Sequence, residues 1–588
     1  MKKSDLKERL GRWAVAGAAC LSVIAVISIF GFLLVRSLPA LQKIGVRELL
    51  GGTEWTPDRL DRFDSLRLSG SYGMLPMIVG SACATLGALL VGGVAGYFTA
   101  VFLAFFCPVS FKRPFSLVIH LLAGIPSVVY GFFGIAVVLP MLSRIAPNNG
   151  SGLLAVSLIL GLMILPTVVS LSHTALYAVP RSYYDASVSL GATHTETVFR
   201  VMIPAARSGI GASLILGVGR ALGETMAVVM VAGNAPIFPV GAFGSFRTMT
   251  ANIVMEMGYA GEVQEGALVA CGVILLAFIL LINLLFSGLA RRAVTDRVGQ
   301  SMGTSRAHRY LAPLPRIGKG LAYSFGFLSA LALALILGFI LGKGLPPLLS
   351  DPHILFGKYA FGSDRITILP ALLVTLMALV ASILIAVPIG IMTAVYLCEY
   401  ARQNSRLAHV LRIAIDVLGG VPSIVYGLFG LIAFLPLLGG SSSILAGSLT
   451  VSMMLLPTVV RSTEESLRAV PDTLRAGSLA LGAGKVRTVV RIVIPAALPG
   501  ILSAVVLSMG RVISESAPFL YTMGSVISAL PKSYLDSGAS LAVALYQLSG
   551  EGWYLDEAYA TAAILILLVL GINALTERLS RRLIPSAK

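Results

Sequence analysis

Two arginine–glutamate pairs lie inside apolar stretches of this chain. In LGVGRALGETMAVVMV, Leu216 to Val231, the pair is Arg220 and Glu224; in LSMGRVISESAPFLY, Leu507 to Tyr521, it is Arg511 and Glu515. The spacing of four predicts both side chains on one face of a helix. The pairs lie 291 residues apart. A charge at the bilayer centre costs about 2.5–3.5 kcal/mol on insertion scales, so such residues face a bundle interior or a watery path and mark functional sites. A guanidinium fork suits bidentate hydrogen bonds to a tetrahedral oxyanion. Two readings of the glutamates stand side by side. Each holds its own arginine and lowers the cost of burying it, or each accepts a hydrogen bond from the hydroxyl of a protonated phosphate, which sulfate cannot donate. A wholly structural reading has both pairs only locking helices. Arginine before glutamate is the less favourable i,i+4 order, so helix stabilisation alone explains the pairs poorly.

The elements that must position these pairs are membrane helices. The 588 residues are 56% hydrophobic and 12% charged, against about 25% charged in a soluble domain. Apolar runs of about 20 residues, the length of a membrane-spanning helix, recur along the chain. The net charge of +17 is topological, because Lys and Arg gather between spans. No nucleic-acid partner is expected, since the basic segments lack interleaved aromatics. Cys20, Cys83, Cys107, Cys271 and Cys398 show no CxxC or Cys/His spacing, so neither a disulfide framework nor a metal site is indicated.

In chain order, Trp13 to Val35 reads as a retained first span, and the basic Met1 to Arg12 places the N-terminus in the cytoplasm. Gly73 to Phe106 and Ile366 to Cys398 are overlong, and the first predicts a helix to about Tyr97, then a bend or a short second piece. Phe115 to Leu142 reads as a span holding GIPSVVYGFFG, whose Gly and Pro serve tight packing or line a path. Ser151 to Val179 is the next span. Arg181 to Arg207 is polar, cytoplasmic, and reads as two short helices broken at Gly191. Ser208 to Ala232 carries Arg220 and Glu224, Gly233 to Gly261 reads as external or re-entrant, and Gly266 to Leu289 is the sixth span.

The plan then repeats. GIPSVVYGFFG returns as GVPSIVYGLFG (Gly420 to Gly430), shifted by 296. MILPTVVS (Met163 to Ser170) returns as MLLPTVVR (Met454 to Arg461), and RVMIPAARSGI as RIVIPAALPGI, both shifted by 291. The expected architecture is an all-α polytopic membrane protein of about 12 transmembrane helices in two parallel six-helix repeats. The division is a first half, 1–290, a basic cytoplasmic linker, 291–320, and a second half, 321–588. An even number of spans per half enters the membrane the same way round, and puts the C-terminus in the cytoplasm too. Equivalent residues of parallel repeats then meet about an axis along the membrane normal, and an anion between two arginines is stabilised.

The polar segments carry the strongest motif. Asp185-Ala186-Ser187, Gly191 and Ile203-Pro204 recur as Ala476-Gly477-Ser478, Gly482 and Ile494-Pro495. Both resemble the EAA loop of ABC-importer permeases: EAA, three residues, Gly, nine residues, I-x-L-P. The first half, through GRALGETMAVVMVAGN and GIPSVVYGFFG, resembles the C-type subunit of the phosphate-specific transport (Pst) permease. The second, through GVPSIVYGLFG and RVISESAP, resembles the A-type subunit. The resemblance covers nearly the whole chain and implies a type I ABC importer permease with PstC-like and PstA-like halves fused. It implies phosphate as substrate, a phosphate-binding protein outside, and two copies of a cytosolic ABC ATPase docked on the EAA-like loops. It also implies the plasma (inner) membrane of a prokaryote, and a path through Arg220, Glu224, Arg511 and Glu515. The second half departs from the pattern with Ser514 and Ser516 where Gly and Thr are expected, and with Ala476 where the first half has Asp185. No enzyme activity or bound cofactor is expected of the chain itself, and ATP with magnesium belongs to the ATPase. LALGAGK, ending at Lys485, fails as a P-loop because Leu479 stands where Gly is required. Competing readings are a permease for another oxyanion (molybdate, sulfate or a phosphonate), an ion-driven secondary transporter, and a non-transporting sensor.

Overall fold

The computed structural model describes residues 2–57, 70–146, 149–295, 314–357, 366–401, 405–527, 529–552 and 554–583. Most of the expected linker, including Arg297, Arg306 and Arg309, lies outside them.

The principal helices of the first half are α1 (Lys2–Ile44), α2 (Leu75–Phe106), α3 (Val109–Ala123), α4 (Ser127–Leu142), α5 (Leu153–Tyr177), α6 (Arg181–Ser189), α7 (His194–Gly223), α8 (Met226–Val231), α9 (Met249–Glu256) and α10 (Glu262–Thr295). Those of the second are α11 (Leu314–Ser350), α12 (Leu369–Tyr400), α13 (Arg406–Gly419), α14 (Ser423–Leu437), α15 (Ile444–Arg468), α16 (Asp472–Ala480), α17 (Lys485–Ser514), α18 (Ala517–Thr522), α19 (Leu541–Glu551) and α20 (Leu555–Leu583). Between α1 and α2, β1 (Trp55–Thr56) pairs antiparallel with β2 (Ser71–Tyr72), Trp55 opposite Tyr72.

Among the described residues, ten helices are long and apolar enough to cross a membrane, or eleven if α13 and α14 form one bent span. The expected total of about twelve includes one more segment, the short α4. The GxPSxVYG segments are not straight spans, because both helices break before the Pro-Ser. In the second half the axis turns by 104°. Pro422 is extended (φ −60°, ψ 145°), and the carbonyl of Leu418 accepts from the Val421 N–H (3.0 Å) and from the Tyr426 hydroxyl (3.0 Å), which ties the two sides of the break together.

The overlong spans also differ from expectation. Each runs on as one helix, α2 past Tyr97, to a π-helical turn at Phe102–Phe106 and Tyr396–Tyr400, and α2 has a further π-helical turn at Leu89–Gly93. The wide turn closes when Cys107 N–H donates to Phe102 O (2.7 Å) and Ala401 N–H to Tyr396 O (2.8 Å).

The chain divides into two compact units that cut across the sequence halves. One contains Met1–Lys43, Met257–Val273 and Gly344–Lys588; the other contains Ile44–Glu256 and Ile274–Lys343. Each half's first helix therefore packs in the unit of the other half. In the first unit, the hydroxyls of Ser22 on α1 and Thr393 on α12 share a 2.9 Å hydrogen bond, and Phe32 meets Phe429 edge-on. In the second unit, the hydroxyls of Thr99 on α2 and Ser329 on α11 share one of 2.8 Å, and Phe98 stacks on Phe325. The core of each unit is α5 or α15, with α2 and α7, or α12 and α17, packed against it.

Candidate functional site

Arg220 and Glu224 do not lie on one helix face as the spacing predicts. Arg220 occupies the last turn of α7, which ends at Gly223; Glu224 is extended (φ −72°, ψ 136°), and α8 begins at Met226. The second half repeats the break: Arg511 ends α17 and Glu515 is extended (φ −79°, ψ 137°) before α18. Ser514 and Ser516, the departures from the Gly and Thr of the first half, leave the backbone the same. Each arginine thus sits at a helix C-terminus, where the macrodipole favours a cation. Each glutamate sits in a stretch whose backbone groups are released from the helix. The Glu224 carboxylate lies beside the Ser127 hydroxyl and the N–H groups of Thr225 and Ala227.

A threonine orients each arginine. Arg220 Nη1 donates to Thr167 Oγ1 (2.8 Å) and Arg511 Nη1 to Thr458 Oγ1 (3.1 Å). Both threonines sit in the repeated LPTVV stretch and are related by the same 291-residue shift as the arginines. The sequence signal was present in that repeat, but pairing across 53 residues is a tertiary fact. The two sites differ in one contact. Arg511 Nε approaches Glu515 Oε1 at 3.5 Å, whereas among the described residues Arg220 makes no ion pair within 4 Å of Glu224. Arg511 is 37% exposed and Glu515 16%. Arg220 belongs to one compact unit and Arg511 to the other.

The glycines of the GxPSxVYG segments serve packing. A Cβ on Gly131 would stand 2.5 Å from Met230 Sδ and 3.0 Å from Ala227 Cα, and one on Gly427 would stand 2.9 Å from Pro518 Cα. Their absence lets α4 lie against α8, and α14 against α18, the short helices that follow the glutamates.

The polar segments form the expected pairs of helices with a glycine turn. Gly191 (φ +87°) and Gly482 (φ +79°) hold the left-handed conformation that L side chains avoid. The second helix of each pair is continuous with the following membrane span, so Ile203-Pro204 and Ile494-Pro495 lie within α7 and α17, each after a π-helical turn. Asp185, Ala186, Ala476 and Gly477 are exposed, and the turns present Leu190 and Leu481 at 89% and 90% exposure. The third motif position closes each pair. The hydroxyls of Ser187 and Thr197 are 3.0 Å apart, and those of Ser478 and Thr488 2.8 Å.

The two pairs are anchored by different chemistry. Tyr184 Oη and His194 Nδ1 are 2.7 Å apart, and His194 Nε2 is 3.2 Å from the Phe105 carbonyl. A carbonyl only accepts, so Nε2 carries the proton there and Nδ1 accepts from the tyrosine. At the equivalent positions, Arg475 Nε donates to Glu399 Oε1 (3.0 Å), and its other nitrogens donate to the carbonyls of Val470 (2.6 Å) and Leu467 (2.7 Å). Phe105 and Glu399 both lie in the π-turns that end α2 and α12. His194 meets the Phe106 ring, and Lys485 lies 5.1 Å from the centre of the Tyr400 ring. Around α16 the ionic network extends through Arg412, Arg468 and Glu464.

Residues 73–295 and 386–588 each match the family model described as the binding-protein-dependent transport system inner membrane component. The chain is 28% identical to a phosphate transport system permease protein PstA homolog of Mycoplasma pneumoniae, over 90% of this chain and 88% of that protein. It is 44% identical to the permease protein PstA of Mycobacterium leprae, over 34% of this chain and 67% of that protein. It is 35% identical to the permease protein PstC of Mesorhizobium japonicum, over 36% of this chain and 71% of that protein.

Proposed function

The chain belongs to the family of inner-membrane components of binding-protein-dependent transport systems, and from that premise we propose that it forms the translocation path of an ATP-driven inorganic phosphate importer. The observation that carries this reading is the repeated constellation of a membrane arginine, a threonine that orients it and a glutamate at a helix break. The names of the relatives, PstA and PstC, support phosphate as the cargo. Phosphate at neutral pH is a tetrahedral oxyanion that offers acceptors to two guanidinium groups and, in its monohydrogen form, a hydroxyl donor to a carboxylate. Arg220 and Arg511 serve as the donors, and Glu224 or Glu515 as the acceptor that favours phosphate over sulfate. A phosphate-binding protein delivers the anion from outside. Two copies of an ABC ATPase dock on the segments carrying Asp185 to Pro204 and Ala476 to Pro495. Nucleotide binding and hydrolysis in those partners switch the path between outward- and inward-open states. The chain itself holds no cofactor and catalyses no reaction in this scheme. Its termini face the cytoplasm of a prokaryotic cell.

The test of the cargo is uptake by proteoliposomes holding the chain, its ATPase and its binding protein. Radiolabelled phosphate is expected to enter only with ATP, and tenfold excess sulfate or molybdate to leave the rate unchanged. Uptake of one of those anions in place of phosphate overturns the cargo and keeps the coupling scheme. Phosphate uptake without ATPase overturns the scheme.

A further inference from the structure

Between α8 and α9 lies a buried polar network that the translocation scheme does not use. Glu256, at the end of α9, accepts from Arg247 Nη1 (2.5 Å) on one carboxylate oxygen and from Trp55 Nε1 (2.7 Å) on the other. Arg247 also donates through Nη1 to Asn252 Oδ1 (2.9 Å) and through Nε to the carbonyl of Asn234 (2.8 Å). Asn234 adopts the left-handed conformation (φ +57°) and returns Nδ2 to the Val229 carbonyl (2.7 Å), gripping the C-terminal end of α8. At the other end of α8, the Thr250 hydroxyl donates to the carbonyl of Glu224 (2.9 Å). The short helix that follows the Glu224 break is therefore held at both ends by groups borne on, or fixed to, α9.

The second half builds the same helix without the grip. Leu541 N–H donates to Thr375 Oγ1 (2.9 Å), just as Met249 N–H donates to Ser81 Oγ (3.0 Å). In that register Arg247, Thr250, Asn252 and Glu256 become Ala539, Ala542, Ala544 and Leu548, all buried. A fold that docks this helix with Ala and Leu does not need a buried ion pair for stability. Exchanging such a pair for packed apolar residues is often neutral or stabilising. What the ion pair supplies is a fixed geometry.

We propose that Arg247, Thr250 and Glu256 are positioning residues: they set the backbone of the Glu224 break and tie it, through Trp55, to the β1–β2 hairpin. This rests on Glu224 belonging to the transport path. Displacement of the hairpin then reaches Glu224 through one ion pair and one hydroxyl.

The test compares wild type with three variants: Thr250→Val, Thr250→Ser, and the double variant Arg247→Ala/Glu256→Leu, which carries the second half's own residues. Two quantities are measured, amide hydrogen exchange over residues 224–234 in the purified chain in nanodiscs, and maximal uptake per folded transporter in the full assembly. In the double variant, exchange is expected to rise and uptake to fall, each on the order of tenfold. Thr250→Val is expected to shift both roughly threefold to tenfold, the loss of one hydrogen bond, and Thr250→Ser to restore both. Wild-type exchange in the double variant and in Thr250→Val overturns the proposal. Raised exchange with unchanged uptake also overturns it, because the clamp is then purely structural. Should the wild type carry no phosphate, the cargo reading fails separately. Binding-protein-stimulated ATP hydrolysis then replaces uptake as the second readout, judged by the same criteria.

Discussion

In the first half, the break after Arg220 is gripped by Thr250 and Arg247 while the polar segment below it is anchored by a neutral Tyr184–His194–Phe105 chain. In the second half the chemistry is exchanged. The helix after the Arg511 break, α18, meets α19, whose equivalent positions are the buried apolar Ala542 and Leu548, whereas the polar segment is anchored by Arg475 on Glu399. What the halves share is narrower: the arginine at the helix end, its threonine, the extended glutamate, and the Ser–Thr hydroxyl pair that closes each polar segment. The repeat therefore fixes a few positions by geometry and leaves the bracing around them to be ionic in one half and apolar or neutral in the other. An ion pair specifies one arrangement at a cost in desolvation, and an apolar contact tolerates small displacements. On this comparison the first half holds its membrane break rigidly, and the second holds its polar segment rigidly.

The largest expected effect falls on the ionic anchor. Arg475→Ala leaves Glu399, 9% exposed, without its partner and is expected to cost about 2–3 kcal/mol, discounted because Arg475 itself is 19% exposed. Thermal unfolding of the purified chain measures it. Tyr184→Phe is expected to cost about 1 kcal/mol, one neutral hydrogen bond. Equal losses for the two would break the contrast.

Next come the orienting threonines. Thr167→Val and Thr458→Val each remove one hydrogen bond to a guanidinium, about 1.5 kcal/mol, and are expected to slow uptake roughly tenfold with ATPase binding intact. Unequal losses would show that the two arginines carry different loads. Ser187→Ala and Ser478→Ala are expected to cost about 1 kcal/mol each, and ATPase co-purification should weaken alike in both.

The smallest effect is a pH dependence in an exposed loop of the second half. The N–H groups of Lys532 and Ser533 donate to the Asp536 carboxylate and hold its pKa below the ordinary aspartate value. The order that this contact gives the loop is fully present above the unfolded value of about 3.9 and is lost as pH falls through the lower folded value. Hydrogen exchange at Lys532 and Ser533, corrected for intrinsic rates, should be flat from pH 5 to 8 in wild type and raised throughout in Asp536→Asn.

Much of this arrangement is legible in the chain itself. The two Arg/Glu spacings, the glycine turns at Gly191 and Gly482, and the long membrane helices follow from apolar runs and turn residues, whereas the short helices α9 and α19 lie in stretches read as external segments. The helix breaks at Glu224 and Glu515 do not, because Gly-Glu-Thr and Ser-Glu-Ser both fit a continuing helix and only packing of α8 and α18 against neighbouring helices ends it. The exchange of first helices between the compact units is equally silent, since α1 and α11 are apolar and their partners are picked out by single hydroxyls, Ser22 and Ser329. The Arg247–Glu256 pair lies in a Gly- and Pro-rich stretch that composition marks as external or re-entrant, with no sign of the pair.

The most direct measurement is ATP-driven phosphate uptake by the reconstituted assembly with Arg220→Gln beside Arg511→Gln. Loss of at least about 100-fold in both variants, with ATPase binding retained, is the result expected if each guanidinium stabilises the anion by about 3 kcal/mol. Uptake at the wild-type rate in either variant would contradict a path that uses both arginines and leave that arginine a helix-end lock.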